Sequence, residues 1–252
     1  MSGPTPSPHP RAPLATVLVA AAVLAAVTAD VLGHAALTRL DHRVADWAWA
    51  SNFRHGNLVR ALVIYAGTMP GDVLGICALF VPFVGWLAWR RRTWQPVLRA
   101  GVGLGLVLAA VWVGKHLVGR TAPGIVDLVR AGGRSYPSGH SAVAVVTCGI
   151  AAWLAVDYAL PAFWCWLLRL VAVAGPLLTA AGMVLLVYHW LSDTFAGLAL
   201  GLVVLRVVHW LFGGRLGHWG DASRQQVDDA GPDRRHAPAA GLGGAGGLGS
   251  AG

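Results

Sequence analysis

Charge is scarce in this chain: Asp, Glu, Lys and Arg make up 12% of the 252 residues, lysine occurs once and cysteine three times. An ordinary soluble domain carries about a quarter of its residues charged, so a soluble globular surface is excluded at the outset. The cysteines, Cys77, Cys148 and Cys165, lie in or at the ends of apolar runs without Cys-x-x-Cys spacing. That pattern indicates neither a zinc site nor a disulfide framework. The formal charge is +8, yet the basic residues are almost all arginines scattered between apolar segments. With no basic stripe there is no nucleic-acid footprint, and the excess reads as membrane topology and anion handling.

What the chain has instead is apolar length. Hydrophobic residues reach 56% and there are twelve tryptophans, a composition that belongs in a bilayer. The expectation is an all-α, polytopic bundle of about six transmembrane helices. Its domain covers residues 13–212, between a disordered lead (1–12) and a disordered Gly-, Ala-, Pro- and Arg-rich tail (213–252) on the cytoplasmic side. Residues 13–32 form the first span; a cleaved signal peptide is the competing reading, and the lack of a crisp cleavage site favours a retained helix.

Between Ala36 and Arg60 the chain mixes Arg39, Asp41, Arg43, Asp46, Trp47, Trp49 and Arg54, which suggests an amphipathic helix at the interface or else a plain polar loop. A second span ends at Trp89, with a break at Pro70-Gly71 and Asp72 as a cap beyond it or a lining of a polar cavity. The acid-free loop bracketed by Arg90, Arg91, Arg92 and Arg99 is placed in the cytoplasm by the positive-inside rule. Further spans follow at about 97–118, 138–156, from 163 to the Tyr188-His189 segment, and 194–212.

Span counting brings four chemical residues to one membrane face. Lys115 ends an outward helix, His140 begins an inward one, and His189 with Asp193 closes the next outward one. Ser138 is a good N-cap in Pro137-Ser138-Gly139-His140, so an anion there would meet free amides, a hydroxyl and an imidazole. A carboxylate four residues beyond a histidine can hold one ring nitrogen and leave the other as nucleophile or base. A capped helix start with a stray histidine, a structural His-x-x-x-Asp and a lysine snorkelling to headgroups are the plainer accounts of these pieces. Their convergence favours chemistry.

In combination, Lys115 to Pro123, Pro137-Ser138-Gly139-His140 and His189-x-x-x-Asp193 resemble the three-part signature of the type 2 phosphatidic acid phosphatase (PAP2) family. The resemblance implies a six-helix membrane phosphatase of lipid phosphates or pyrophosphates that needs no metal or other cofactor. It implies His189 as the nucleophile that becomes phosphohistidine, Asp193 as its support and His140 as the acid for the leaving oxygen. Lys115, Ser138 and the Gly139 amide would bind phosphate, on the extracytoplasmic face of the cell membrane.

Two of the three motifs depart from the family pattern. Ala122 stands where the first motif has arginine before proline, and Gly182-Met183 stand where the third has Ser-Arg. Each lost donor is worth roughly 2–4 kcal/mol in a phosphoryl-transfer transition state, so an uncompensated pair costs on the order of 10³-fold or more. Arg120, at a position where many family members carry arginine, and Arg134, just before the cradle, are the candidate replacements. The departures also motivate a rival expectation, a catalytically impaired membrane protein that binds an anionic lipid or a partner. The particular lipid, transfer to an acceptor other than water, and the oligomeric state are left open by the sequence.

Overall fold

The computed structural model describes residues 14–53, 57–123 and 133–213. The lead, the tail beyond Gly213, Arg54, and the part of the long loop that carries Asp127 and Arg130 lie outside the described residues. Those described are helical and form no strand, apart from one isolated antiparallel bridge between Thr121 and Arg134. In hydrocarbon every backbone amide must find its partner within the protein, and helices do this segment by segment.

The helices are α1 (Leu14–Gly33), α2 (Ala36–Ala50), α3 (Leu58–Thr68), α4 (Val73–Arg91), α5 (Gln95–Val118), α6 (Gly139–Asp157), α7 (Ala162–Leu185) and α8 (Leu191–Gly213). Six of them, all but α2 and α3, are long and apolar enough to cross a membrane. The protein is accordingly a multi-pass membrane protein. Helix α2 is the amphipathic segment, packed on α1 and α7 with Asp41 and Ala48 turned inward.

The expected break after α3 is a 3₁₀ turn, Met69–Gly71, with the Asp72 carboxylate capping Leu74 N–H at 2.8 Å. Such a break strands carbonyls inside the bundle, and two buried threonines collect them. Thr179 donates to the Gly67 carbonyl (3.2 Å) and Thr147 to that of Pro70 (3.1 Å). Within α4, residues Ile76–Phe80 widen to π geometry just ahead of Pro82. Proline has no N–H to return to the carbonyl four residues earlier, which is reason enough for the ladder to slip there.

Helix α6 is the axis of the bundle: thirteen of its nineteen residues are buried, five of them alanine. Small side chains let neighbouring helices approach closely where no hydrophobic effect drives them together. The bundle has two polar ends. At one, Arg99 pairs with Asp157 at 2.5 Å and lies over the Trp153 ring, while Arg91 donates to the Tyr158 carbonyl. This is the end that carries Arg90–Arg92. At the other end lie the starts of α6 and α8, the ends of α1, α5 and α7, and the residues singled out for chemistry.

Candidate active site

Ser138 caps α6 as expected. Its φ and ψ of −66° and 114° are non-helical, and its hydroxyl oxygen accepts from the Ser141 amide (3.4 Å) and the Ser141 hydroxyl (3.2 Å). The Ser138 amide donates to the Asp193 carbonyl at 2.9 Å, which ties the cradle to the first turn of α8. Gly197, one turn further along α8, makes that approach possible. A Cβ there would stand 2.5 Å from the Ser138 carbonyl oxygen and 3.1 Å from Ser141 Cβ. At Gly71 a Cβ would overlap the His140 carbonyl. Gly197→Ala should therefore pry α8 from the cradle, lowering stability by about 1–3 kcal/mol. A lower melting temperature in detergent, with phosphate affinity weakened alongside, is the expected measurement; unchanged melting would contradict this packing.

Loop residues reach the same place. The Lys115 ammonium donates to the Arg134 carbonyl, and the Ser135 amide donates to that of Arg120 at 2.7 Å. Tyr136, buried against Val27, Val31 and Ala196, shares a 2.7 Å hydrogen bond with Thr28 of α1. Burial pushes the Tyr136 hydroxyl up from its ordinary value, so it stays protonated across the neutral range. His116 turns away, with its ring on Trp112.

The two histidines face each other. The rings of His140 and His189 lie 6.3 Å apart between centroids, inclined at 63°, near enough to attend a single phosphoryl group. His189 Nδ1 is buried 3.5 Å from Asp193 Oδ2, within ion-pair range and long for a hydrogen bond. His140 Nε2 is 3.6 Å from Asp72 Oδ2, so the residue that caps α4 also faces the second histidine. The cap reading of Asp72 describes it.

Arg120 is the most engaged group in the site. Its Nη1 donates to Asp193 Oδ1 (3.0 Å) and Ser192 Oγ (2.6 Å), and its Nη2 donates to Asp41 Oδ2 (2.7 Å). The guanidinium also lies over the Trp190 ring, 5.0 Å from its centroid. The structure thus brings together His189, Asp193, His140, Arg120, Ser138, Gly139 and Lys115. Arg134 enters through its backbone carbonyl and its bridge to Thr121. Asp41, Ser192 and Trp190 were not among the expected site residues. Among the described residues no three His, Cys, Asp or Glu side chains gather as a metal-binding group.

These observations define a class, a polytopic all-helical membrane protein with a two-histidine, carboxylate- and guanidinium-bearing site at one end of its bundle. Residues 96–216 match the model of the PAP2 superfamily. This match supports a phosphatase role. Among solved structures the chain is similar to a transmembrane PAP2 type phosphatidylglycerolphosphate phosphatase from Bacillus subtilis. The TM-score is 0.63 at 21% identity, over 88% of this chain and 98% of that one. This likeness establishes the fold. No curated protein matches the sequence.

Proposed function

We propose that the protein removes phosphate from a lipid phosphate or pyrophosphate through a phosphohistidine intermediate on His189. The observation that carries this reading is the His189 ring held between the Asp193 carboxylate and the facing ring of His140. In the first step His189 Nε2 bonds to phosphorus, the bond from phosphorus to the lipid oxygen breaks, and His140 gives that oxygen its proton. In the second step water attacks, His140 takes a proton back, and phosphate leaves. Phosphoryl transfer asks mainly for positioning and fixed positive charge. Lys115, the Ser138 hydroxyl, the Gly139 amide and Arg134 are assigned to the equatorial oxygens, and the start of α6 adds its partial positive charge. Arg120 contributes charge beside them, with two of its nitrogens on carboxylates.

The domain, residues 13–212, is assigned with its active site on the extracytoplasmic side. The arginine cluster 90–92 at the opposite end of the bundle supports that orientation under the positive-inside rule. A lipid substrate is supported by an apolar groove of about 480 Å³ between α1 and α8, lined by residues including Val19, Val23, Phe195 and Leu198. It opens below Asp193 along the part of α8 that would lie within the bilayer. Phosphatidylglycerolphosphate, phosphatidic acid and a polyprenyl pyrophosphate are the substrates to compare. Ala122 and Met183 favour a second reading, a protein that binds an anionic lipid without turning it over.

The deciding experiment is phosphate release by detergent-purified protein from those three lipids in EDTA. EDTA-resistant release supports the phosphatase and ranks its substrates. Binding of the same lipids without release from any of them transfers the case to the second reading.

A further inference from the structure

Asp41 carries a charge at a place where charge is costly. It sits on α2, outside the segment matched to the family and outside all three sequence motifs. Its side chain is 1% exposed, and a buried carboxylate is retained only when it is fully engaged. Every contact it makes leads to the nucleophile's support. Asp41 Oδ1 accepts from the Ser192 amide at 2.8 Å. Asp41 Oδ2 accepts from the Ser192 hydroxyl at 2.5 Å and from Arg120 Nη2 at 2.7 Å. Through its other terminal nitrogen Arg120 holds Asp193 Oδ1, and Asp193 Oδ2 faces His189 Nδ1.

From this geometry we infer that Asp41 is a positioning residue of the phosphoryl-transfer site, acting on His189 through Arg120, Ser192 and Asp193. The inference rests on the phosphatase reading above and deepens it.

Charge arithmetic gives the reason for two carboxylates on one guanidinium. Attack by His189 places positive charge on its ring, which Asp193 must balance. Alone with Arg120, Asp193 would be neutralised before it could serve. Asp41 takes a share of the guanidinium, so the trio of Asp41, Arg120 and Asp193 keeps net negative charge beside the imidazole. Its bonds to the Ser192 amide and hydroxyl also fix the first turn of α8, and therefore the aim of Asp193. Trp190, with its Nε1 donating to the Thr121 carbonyl at 2.7 Å and its ring beside His42 of α2, walls the network from the side.

The test is Asp41→Asn, which keeps shape and removes charge, with Ser192→Ala as a second, milder break and Arg120→Ala for a double-mutant cycle. Steady-state rates on the best lipid phosphate and the pH profile of kcat/KM are measured beside thermal melting. The charged and titratable groups that bear on His189 are Asp193, His140 with Asp72 behind it, Arg120, Asp41 and Lys115. Asp41→Asn removes one negative charge from this set and frees Arg120 to neutralise Asp193. The imidazolium of His189 then loses support, so the acid limb moves to lower pH.

Expected results for Asp41→Asn are a kcat reduced about 10- to 100-fold with KM changed less than about threefold, since the interaction lost is one made in the transition state. Asp41→Asn with Arg120→Ala should cost less than the product of the two single losses. Ser192→Ala should lower kcat several-fold in the same direction. A folded Asp41→Asn protein with wild-type kcat and pH profile overturns the inference. So does a variant, or Ser192→Ala should Asp41→Asn not fold, that loses melting temperature while its acid limb stays in place. Absence of release by the wild type overturns the phosphatase reading and this inference together; release by the wild type with unaltered variants overturns this inference alone.

Discussion

His189→Ala should abolish turnover, lowering phosphate release by on the order of 10⁴-fold or more, as removal of a covalent nucleophile does in other enzymes. The reasoning starts from the local geometry. His189 sits in the turn between α7 and α8, where its amide donates to the Met183 carbonyl at 3.2 Å. Backbone bonds, not the imidazole, define that turn. The side chain is 10% exposed and has its Nδ1 directed to Asp193, so truncation removes chemistry while the helices on either side keep their partners. Folding should be close to wild type, measured by melting temperature and by monodispersity in detergent. The wild type, quenched in alkali during turnover of a labelled lipid phosphate, should carry label that is released by acid, the behaviour of a phosphoramidate. His189→Ala should carry none. Turnover retained in this variant, or label stable to acid, would rule out the phosphohistidine.

The membrane-spanning architecture was legible because each span is written as a continuous apolar run bounded by proline, glycine or arginine, and hydrocarbon leaves helix as the solution. The break at Pro70-Gly71 and the Asp72 cap were legible for the same local reason: the chemistry that ends a helix lies within a few residues of where it acts. His140, His189 and Asp193 could be brought to one face by counting spans alone. The Arg120 network could not. Its partners are 72, 73 and 79 residues away, and Asp41 in sequence is one of several charges on an amphipathic helix, with nothing to say that it alone turns inward. Gly197 and Gly71 were equally silent. A glycine in an apolar helix signals a possible close approach, but only the assembled bundle shows that the atoms approached are the backbone of Ser138 and His140.

These contacts change the weight of the two departures from the family pattern. Ala122 and Met183 remove two guanidinium donors, and Arg120 supplies one, but a guanidinium with Nη1 and Nη2 on carboxylates is no simple substitute for a free fork. Three of the five Arg120 N–H donors are already taken by Asp193, Ser192 and Asp41, which leaves fewer for phosphate. Under the proposed function, phosphate affinity would then fall more to Lys115, Arg134 and the amides at the start of α6. On this argument the protein should depend more on the cradle, and on substrate held by its lipid tail, than a member with both arginines present.

His140→Ala is the second variant for which a large effect is expected, and its size should depend on the leaving group. A general acid contributes about 10²- to 10⁴-fold when the departing oxygen needs a proton. An alkyl phosphate, such as a phospholipid monoester, leaves as a strongly basic alkoxide and should lose this full factor. An aryl phosphate leaves as a weakly basic phenolate that departs unaided, so formation of the phosphoenzyme should survive the substitution. Asp72, 3.6 Å from His140 Nε2, faces the ring that the variant removes and plays no part in the comparison. In the proposed mechanism the same imidazole also takes a proton from the water that cleaves phosphohistidine, a step common to both substrates. With the aryl substrate His140→Ala should therefore release about one equivalent of phenol per site in a rapid burst and then turn over slowly, its phosphoenzyme accumulating. With the alkyl substrate no burst should appear. Equal losses on both substrates without a burst would mean that His140 binds the phosphate and moves no proton, and the acid role would then have to be sought on another group at the same end of the bundle.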